Sequence, residues 1–130
     1  MKRYVTDTMG LIRHLAKSEK LGKNASEIFE EADTGDCVVF IPAMVLMEIL
    51  YLSEKNRIST TLPDVTQLTQ NSTNYQIYPI TTEVILKAKE ITDIPELHDR
   101  IIAATAVLLG LGLISRDSVI GKSAFLTTIW

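Results

Sequence analysis

The sequence predicts an α/β fold built on a mostly parallel sheet, and three observations carry that expectation. Short apolar runs of strand length alternate with longer segments of helical period, the pattern of strands joined through helices rather than of a helical bundle. The chain has 130 residues, 46% of them hydrophobic, ample for a single core and giving no reason to expect a second. Turn chemistry such as Thr34-Gly35-Asp36 separates helix from strand. A single domain over residues 1–130 is therefore expected.

The elements follow in order. A strand at 3–6, around Tyr4 and Val5, runs into a helix over 8–15. The next helix, 25–32, sets Ala25, Ile28, Phe29 and Ala32 at the i, i+3, i+4, i+7 spacing of one buried face. Asn24 would start it, with Glu27 three residues later resembling a capping box. The turn at Gly35 leads into a strand at 37–41. Pro42 ends that strand and can occupy the first turn of a helix over 43–55. Residues 58–74 are polar and contain Pro63, which suits a loop with a short helix at 62–68. A strand at 76–79 precedes Thr81-Thr82-Glu83, whose hydroxyls and carboxylate suit the start of a helix running through Ile91. Pro95 opens the next helix, which runs through Leu109 and stops at Gly110, a residue that adopts the left-handed cap conformation without a Cβ penalty. Strands at 111–115 and 126–129 complete the chain, which has no internal repeat or low-complexity tract.

Bulk properties exclude several function classes. The longest charge-free run, 101–115, is too short and too rich in Gly and Ala for a membrane span of roughly 20 apolar residues. Lys2 and Arg3 lead into Tyr4-Val5-Thr6-Asp7 with no apolar stretch, so a secretory signal is not expected and a cytoplasmic location is. Cys37, the one cysteine, lies in the apolar run 37–41 and reads as a small buried hydrophobe, not as a thiol nucleophile or zinc ligand. The net charge of −3 argues against broad adhesion to nucleic acid. It leaves room for a nuclease, because carboxylates gathered at an active site lower the charge and a bound divalent cation reverses the sign where phosphate arrives.

Four acidic residues stand at the edges of apolar segments. Asp7 ends the first strand, Glu48 interrupts the apolar stretch 43–52, Asp99 opens the apolar segment 101–109 and Asp117 follows the strand at 111–115. Each has a structural reading. Asp7 can be a helix N-cap, Asp99 sits in a first helical turn where the dipole favours an anion, and Asp117 can pair with Arg116. Glu48 resists such a reading, since its neighbours at i−4, i−3, i+3 and i+4 are Met44, Val45, Tyr51 and Leu52. A helix apolar on nearly every side is expected to be buried, where a lone carboxylate neutralises or finds a partner. Two unit charges about 4 Å apart repel by roughly 4 kcal/mol at an effective dielectric near 20, so four gathered carboxylates need a cation. An oxygen-only donor set suits Mg²⁺ or Mn²⁺, and the absence of a Cys/His cluster weakens zinc.

Val5-Thr6-Asp7-Thr8, Ile41-Pro42-Ala43-Met44-Val45-Leu46-Met47-Glu48-Ile49, His98-Asp99-Arg100-Ile101-Ile102-Ala103-Ala104-Thr105-Ala106 and Leu113-Ile114-Ser115-Arg116-Asp117 together resemble the PIN domain. This is the ribonuclease fold of the VapC-type toxins of toxin–antitoxin pairs. The resemblance spans nearly the whole chain and is most specific from Asp99 to Asp117. It implies a three-layer fold with a central sheet between helices. It also implies that Asp7, Glu48, Asp99 and Asp117 are the metal-binding acidic quartet, with Thr8 and Ser115 as orienting hydroxyls. The implied reaction is Mg²⁺- or Mn²⁺-dependent hydrolysis of single-stranded or loop RNA by metal-activated water. A homodimer and a small masking antitoxin are the implied partners.

Among basic residues that can hold phosphate, namely Arg13, Lys17, Lys55, Arg57, Arg100, Arg116 and Lys122, adjacency to Asp99 and Asp117 favours Arg100 and Arg116. His98 can assist proton transfer, and Tyr51 and Trp130 can stack a base or fill an interface. Competing readings are a phospho-aspartate enzyme and a catalytically silent PIN-fold module that binds protein or RNA. The first lacks its signature, since Met9 stands where a second Asp would be needed.

Overall fold

The computed structural model describes residues 1–130. Its five strands form one sheet in the order β3-β2-β1-β4-β5, with β1 at Lys2–Thr6, β2 at Cys37–Pro42, β3 at Tyr75–Tyr78, β4 at Leu113–Ile114 and β5 at Thr128–Ile129. Every neighbouring pair is parallel. Helices α1 (Thr8–Leu15), α2 (Lys23–Asp33), α3 (Ala43–Glu54), α4 (Leu62–Asn71), α5 (Thr82–Glu90), α6 (Leu97–Leu109) and α7 (Ser118–Gly121) flank the sheet. The α/β class and the parallel sheet expected from the alternation are both found. A cluster of 26 buried apolar residues, Val5, Val39, Ile41 and Leu113 among them, joins strands to helices.

Parallel register brings the carboxyl ends of the strands to one edge, because Val5 pairs with both Phe40 and Leu113, and Thr6 with Ile114. The residues leaving those strands therefore emerge side by side, the position at which open α/β sheets form their ligand crevices.

Several boundaries differ from the sequence expectation. Helix α2 begins at Lys23 after Gly22, with no side-chain cap. The capping box at Asn24 and Glu27 does not form, because the Asn24 and Ala25 amides donate to the Trp130 carbonyl at 3.0 and 3.1 Å. Helix α4 reaches Asn71, started by a Thr61–Asp64 capping box. Strand β3 is shifted one residue towards the N-terminus, and β4 and β5 shrink to two residues each. Helix α6 starts at Leu97 rather than at Pro95 because Glu96 caps it by accepting from the Asp99 amide. It ends as expected at Gly110, whose φ of 67° is left-handed. Pro42 takes the N-cap position of α3, not its first turn. Cys37 is buried, as expected.

The largest departure concerns α3. Met47, Leu50 and Tyr51 are exposed, so the helix is not surrounded by core. Met44, Val45 and Ile49 face inward while this second apolar stripe faces outward.

Candidate metal centre

Each acidic residue is delivered by a different element. Asp7 is the first residue past β1 and the N-cap of α1, its Oδ1 accepting from the Gly10 amide at 2.7 Å. The Asp7 amide donates to the Ile114 carbonyl at 3.0 Å, which ties the end of β1 to the end of β4. Gly10 permits this approach, since a Cβ there would stand 3.0 Å from both Asp7 Oδ1 and Thr6 Oγ1. Asp117 follows β4 and caps α7, its Oδ1 accepting from the Val119 and Ile120 amides at 2.9 Å each. Asp99 lies in the first turn of α6, and Glu48 sits midway along α3.

All four line one crevice of about 340 Å³, together with Thr8, Met9, Arg13, Ile102, Arg116 and Ile120. Asp7 is buried, Glu48 and Asp99 are partly buried, and Asp117 is exposed at the rim. The Thr8 hydroxyl donates to Glu48 Oε1 at 2.9 Å, the partner that the apolar neighbours of Glu48 do not provide. Ser115 is buried; its hydroxyl is near enough to Asp7 to oppose the rise of that carboxyl's pKa, and its Oγ accepts from the Asp117 amide at 3.1 Å.

Burial and mutual repulsion dominate at the carboxylates themselves. Burial pushes the Asp99 carboxyl up to about 6, helped by the charges of Glu96, Asp117, Glu48 and Asp7. Asp7 is also raised, chiefly by desolvation, with the Gly10 amide and Ser115 opposing and Glu48 and Asp117 adding repulsion. Desolvation raises Glu48 as well, against the Thr8 hydroxyl and His98. No three His, Cys, Asp or Glu side chains close on a point as a ready cage for an ion. An open set of this kind fits a hard ion that keeps several waters and takes one or two carboxylates directly, and it does not fit tetrahedral zinc.

The arginines divide differently from expectation. Arg116 lines the crevice and Arg100 does not; the Arg100 Nη2 donates to the Pro95 carbonyl at 3.4 Å. Arg13 stands in its place, brought in by the helix that Asp7 caps. The sequence offers Arg13 among its basic residues, but helical period alone does not say which face meets the crevice. Glu96 is a cap that the sequence signals only by standing three residues before Asp99, the spacing of an N-cap and its N3 residue. His98 lies outside the crevice, in an adjoining apolar pocket with Met44, Met47, Tyr51 and Leu52 that shares Glu48 with it.

A parallel α/β sheet with an acidic crevice at its carboxyl edge defines the class of protein. The chain belongs to the PIN domain family, whose model matches residues 4–126. No curated protein sequence matches it. Solved structures share the fold. A chain of VapBC2 from Rickettsia felis bound to a DNA fragment from its promoter superposes with a TM-score of 0.71 at 16% identity, 98% of each chain being covered. A toxin–antitoxin complex from Klebsiella pneumoniae gives a TM-score of 0.65 at 18% identity, over 98% of this chain and 96% of that one. DNA-bound VapBC from Salmonella typhimurium gives 0.68 at 15% identity, over 99% and 98%. No helix of the molecule is long and apolar enough to cross a membrane.

Proposed function

We propose that the protein is a divalent-metal-dependent endoribonuclease and the toxin of a toxin–antitoxin pair. The observation that carries this reading is the meeting of Asp7, Glu48, Asp99 and Asp117, from four elements, in one crevice. These four carboxylates would hold Mg²⁺ or Mn²⁺ and act as the catalytic set. When bound, such an ion neutralises the carboxylates, lowers the pKa of an attacking water and stabilises charge on the phosphate. The chain's own residues prepare that chemistry. Thr8 occupies one oxygen of Glu48 and leaves the other free. Ser115 Oγ accepts from the Asp117 amide and so fixes the turn that presents Asp117, and the cap bond from Gly10 orients the Asp7 carboxylate.

Membership of the PIN family and the fold shared with toxin–antitoxin complexes support a small antitoxin as partner. RNA as substrate, a homodimer, one domain over the whole chain and a cytoplasmic location belong to the same reading. Cleavage of single-stranded RNA with and without Mn²⁺, by wild type and by Asp99→Asn, tests it. Metal-dependent cutting that the substitution abolishes is expected. Equal background in both proteins would favour a silent binding module instead.

A further inference from the structure

The crevice wall is not wholly acidic. Arg13, from α1, and Arg116, from the turn after β4, line it beside the four carboxylates. An arginine fork matches a carboxylate so well that pairing is the ordinary outcome. Neither arginine pairs: the ion pairs of the molecule are His14–Asp33, Lys87–Glu90 and His98–Glu96.

Arg13 has another partner. Its guanidinium carbon lies 5.5 Å from the centroid of the Trp130 ring, within cation–π range. Trp130 is itself fixed, because its carbonyl accepts from the Asn24 and Ala25 amides and its indole fills the space a side chain on Gly22 would need. The strand order then sets a polarity along the carboxyl edge. Glu48 is reached from the helix after β2, Asp7 follows β1, Arg116 and Asp117 follow β4, and Trp130 follows β5. Arg116, and Arg13 through its contact with Trp130, therefore stand towards the β4–β5 end of this edge, beside Asp117 and away from the helix that carries Glu48.

We infer that Arg13 and Arg116 hold a backbone phosphate of single-stranded RNA next to the scissile one, on the β4–β5 side, and that Trp130 is a positioning residue for Arg13. The inference rests on the nuclease reading above. A chain with a net charge of −3 has little general attraction for RNA, so local cations must supply the affinity. A guanidinium not spent on a carboxylate meets phosphate bidentately without first breaking an ion pair. Stacking on Trp130 restricts the Arg13 side chain before the strand arrives, which reduces the entropy lost on binding.

The test is fluorescence anisotropy of a labelled single-stranded RNA against salt, with Mg²⁺ present and Asp99→Asn as the parent so that the strand stays intact. Arg13→Ala and Arg116→Ala are each expected to weaken binding about tenfold. Each should also make the slope of log K against log salt shallower by about 0.7. Lys89→Ala on α5, outside the crevice, should leave the slope as it was. Trp130→Leu should reproduce part of the loss of Arg13→Ala, add nothing when combined with it, and be rescued by Trp130→Phe; an additive loss would overturn the positioning role. Unchanged affinity and slope in both arginine variants, with RNA bound by the parent, would overturn the inference and leave the nuclease reading standing. No RNA binding by the parent together with no cleavage by wild type would overturn both.

Discussion

At the scale of the residue, Asp7 has two duties that substitution can separate. It caps α1 through Gly10 and lines the crevice. Asparagine caps a helix about as well as aspartate, so Asp7→Asn is expected to keep its melting temperature while losing Mn²⁺ affinity by calorimetric titration. Asp7→Ala should in addition lose about 1 kcal/mol of stability. Unchanged Mn²⁺ affinity in Asp7→Asn would remove Asp7 from the site. Asp99 makes a pH prediction. Its carboxyl is pushed up to about 6, above its ordinary 3.8, so between those values the folded chain binds more protons than the unfolded one and stability falls as pH rises. Asp7 and Glu48 are shifted the same way. In EDTA the protein should melt higher at pH 5 than at pH 7, and by a smaller margin in Asp99→Asn. A melting temperature that climbs over that interval would contradict the assignment.

At the scale of the element, α1 is held against the sheet by the absence of a side chain. A Cβ on Gly10 would meet Asp7 Oδ1, Thr6 Oγ1 and, at 3.2 Å, Ile114 Cγ2. Glycine to alanine inside a helix ordinarily gains about 1 kcal/mol; here Gly10→Ala is expected to lower both melting temperature and metal affinity, because the crowded atoms belong to the Asp7 cap. A rise in melting temperature would mean that the neighbours give way. The elements also show what a sequence can and cannot disclose. Asp7, Asp99 and Asp117 were legible because each stands where an apolar run of strand or helix period begins or ends, and topology then carries such positions to one edge. Helix α7 was not legible, since four residues hold barely one turn and no periodicity. The two-residue lengths of β4 and β5 were hidden because apolar runs continue past the last ladder bond. The exposed stripe of Met47, Leu50 and Tyr51 on α3 was read as core because composition distinguishes apolar from polar faces but does not say what covers them. Arg13 lines the crevice and contacts Trp130, a pairing of residues far apart in the sequence that no local pattern encodes.

At the scale of the whole molecule, the crevice gathers carboxylates that repel one another, a repulsion that the proposed cation would relieve. Divalent binding to the folded chain alone stabilises it by mass action, about 2.7 kcal/mol at a concentration 100 times Kd. Mg²⁺ or Mn²⁺ should therefore raise the melting temperature, EDTA should reverse the rise, and Asp99→Asn should respond weakly; a rise of equal size in the variant would point to binding elsewhere. The central position of β1, bonded to β2 on one side and β4 on the other, has a further consequence for how the molecule opens. Freeing that strand breaks the sheet on both flanks at once, so the Val5 amide should exchange its hydrogen with solvent only through global unfolding. Edge strand β5 should exchange sooner, and on refolding the proposed nuclease activity should return no earlier than the slowest phase, because any partly assembled chain lacks a wall of the crevice.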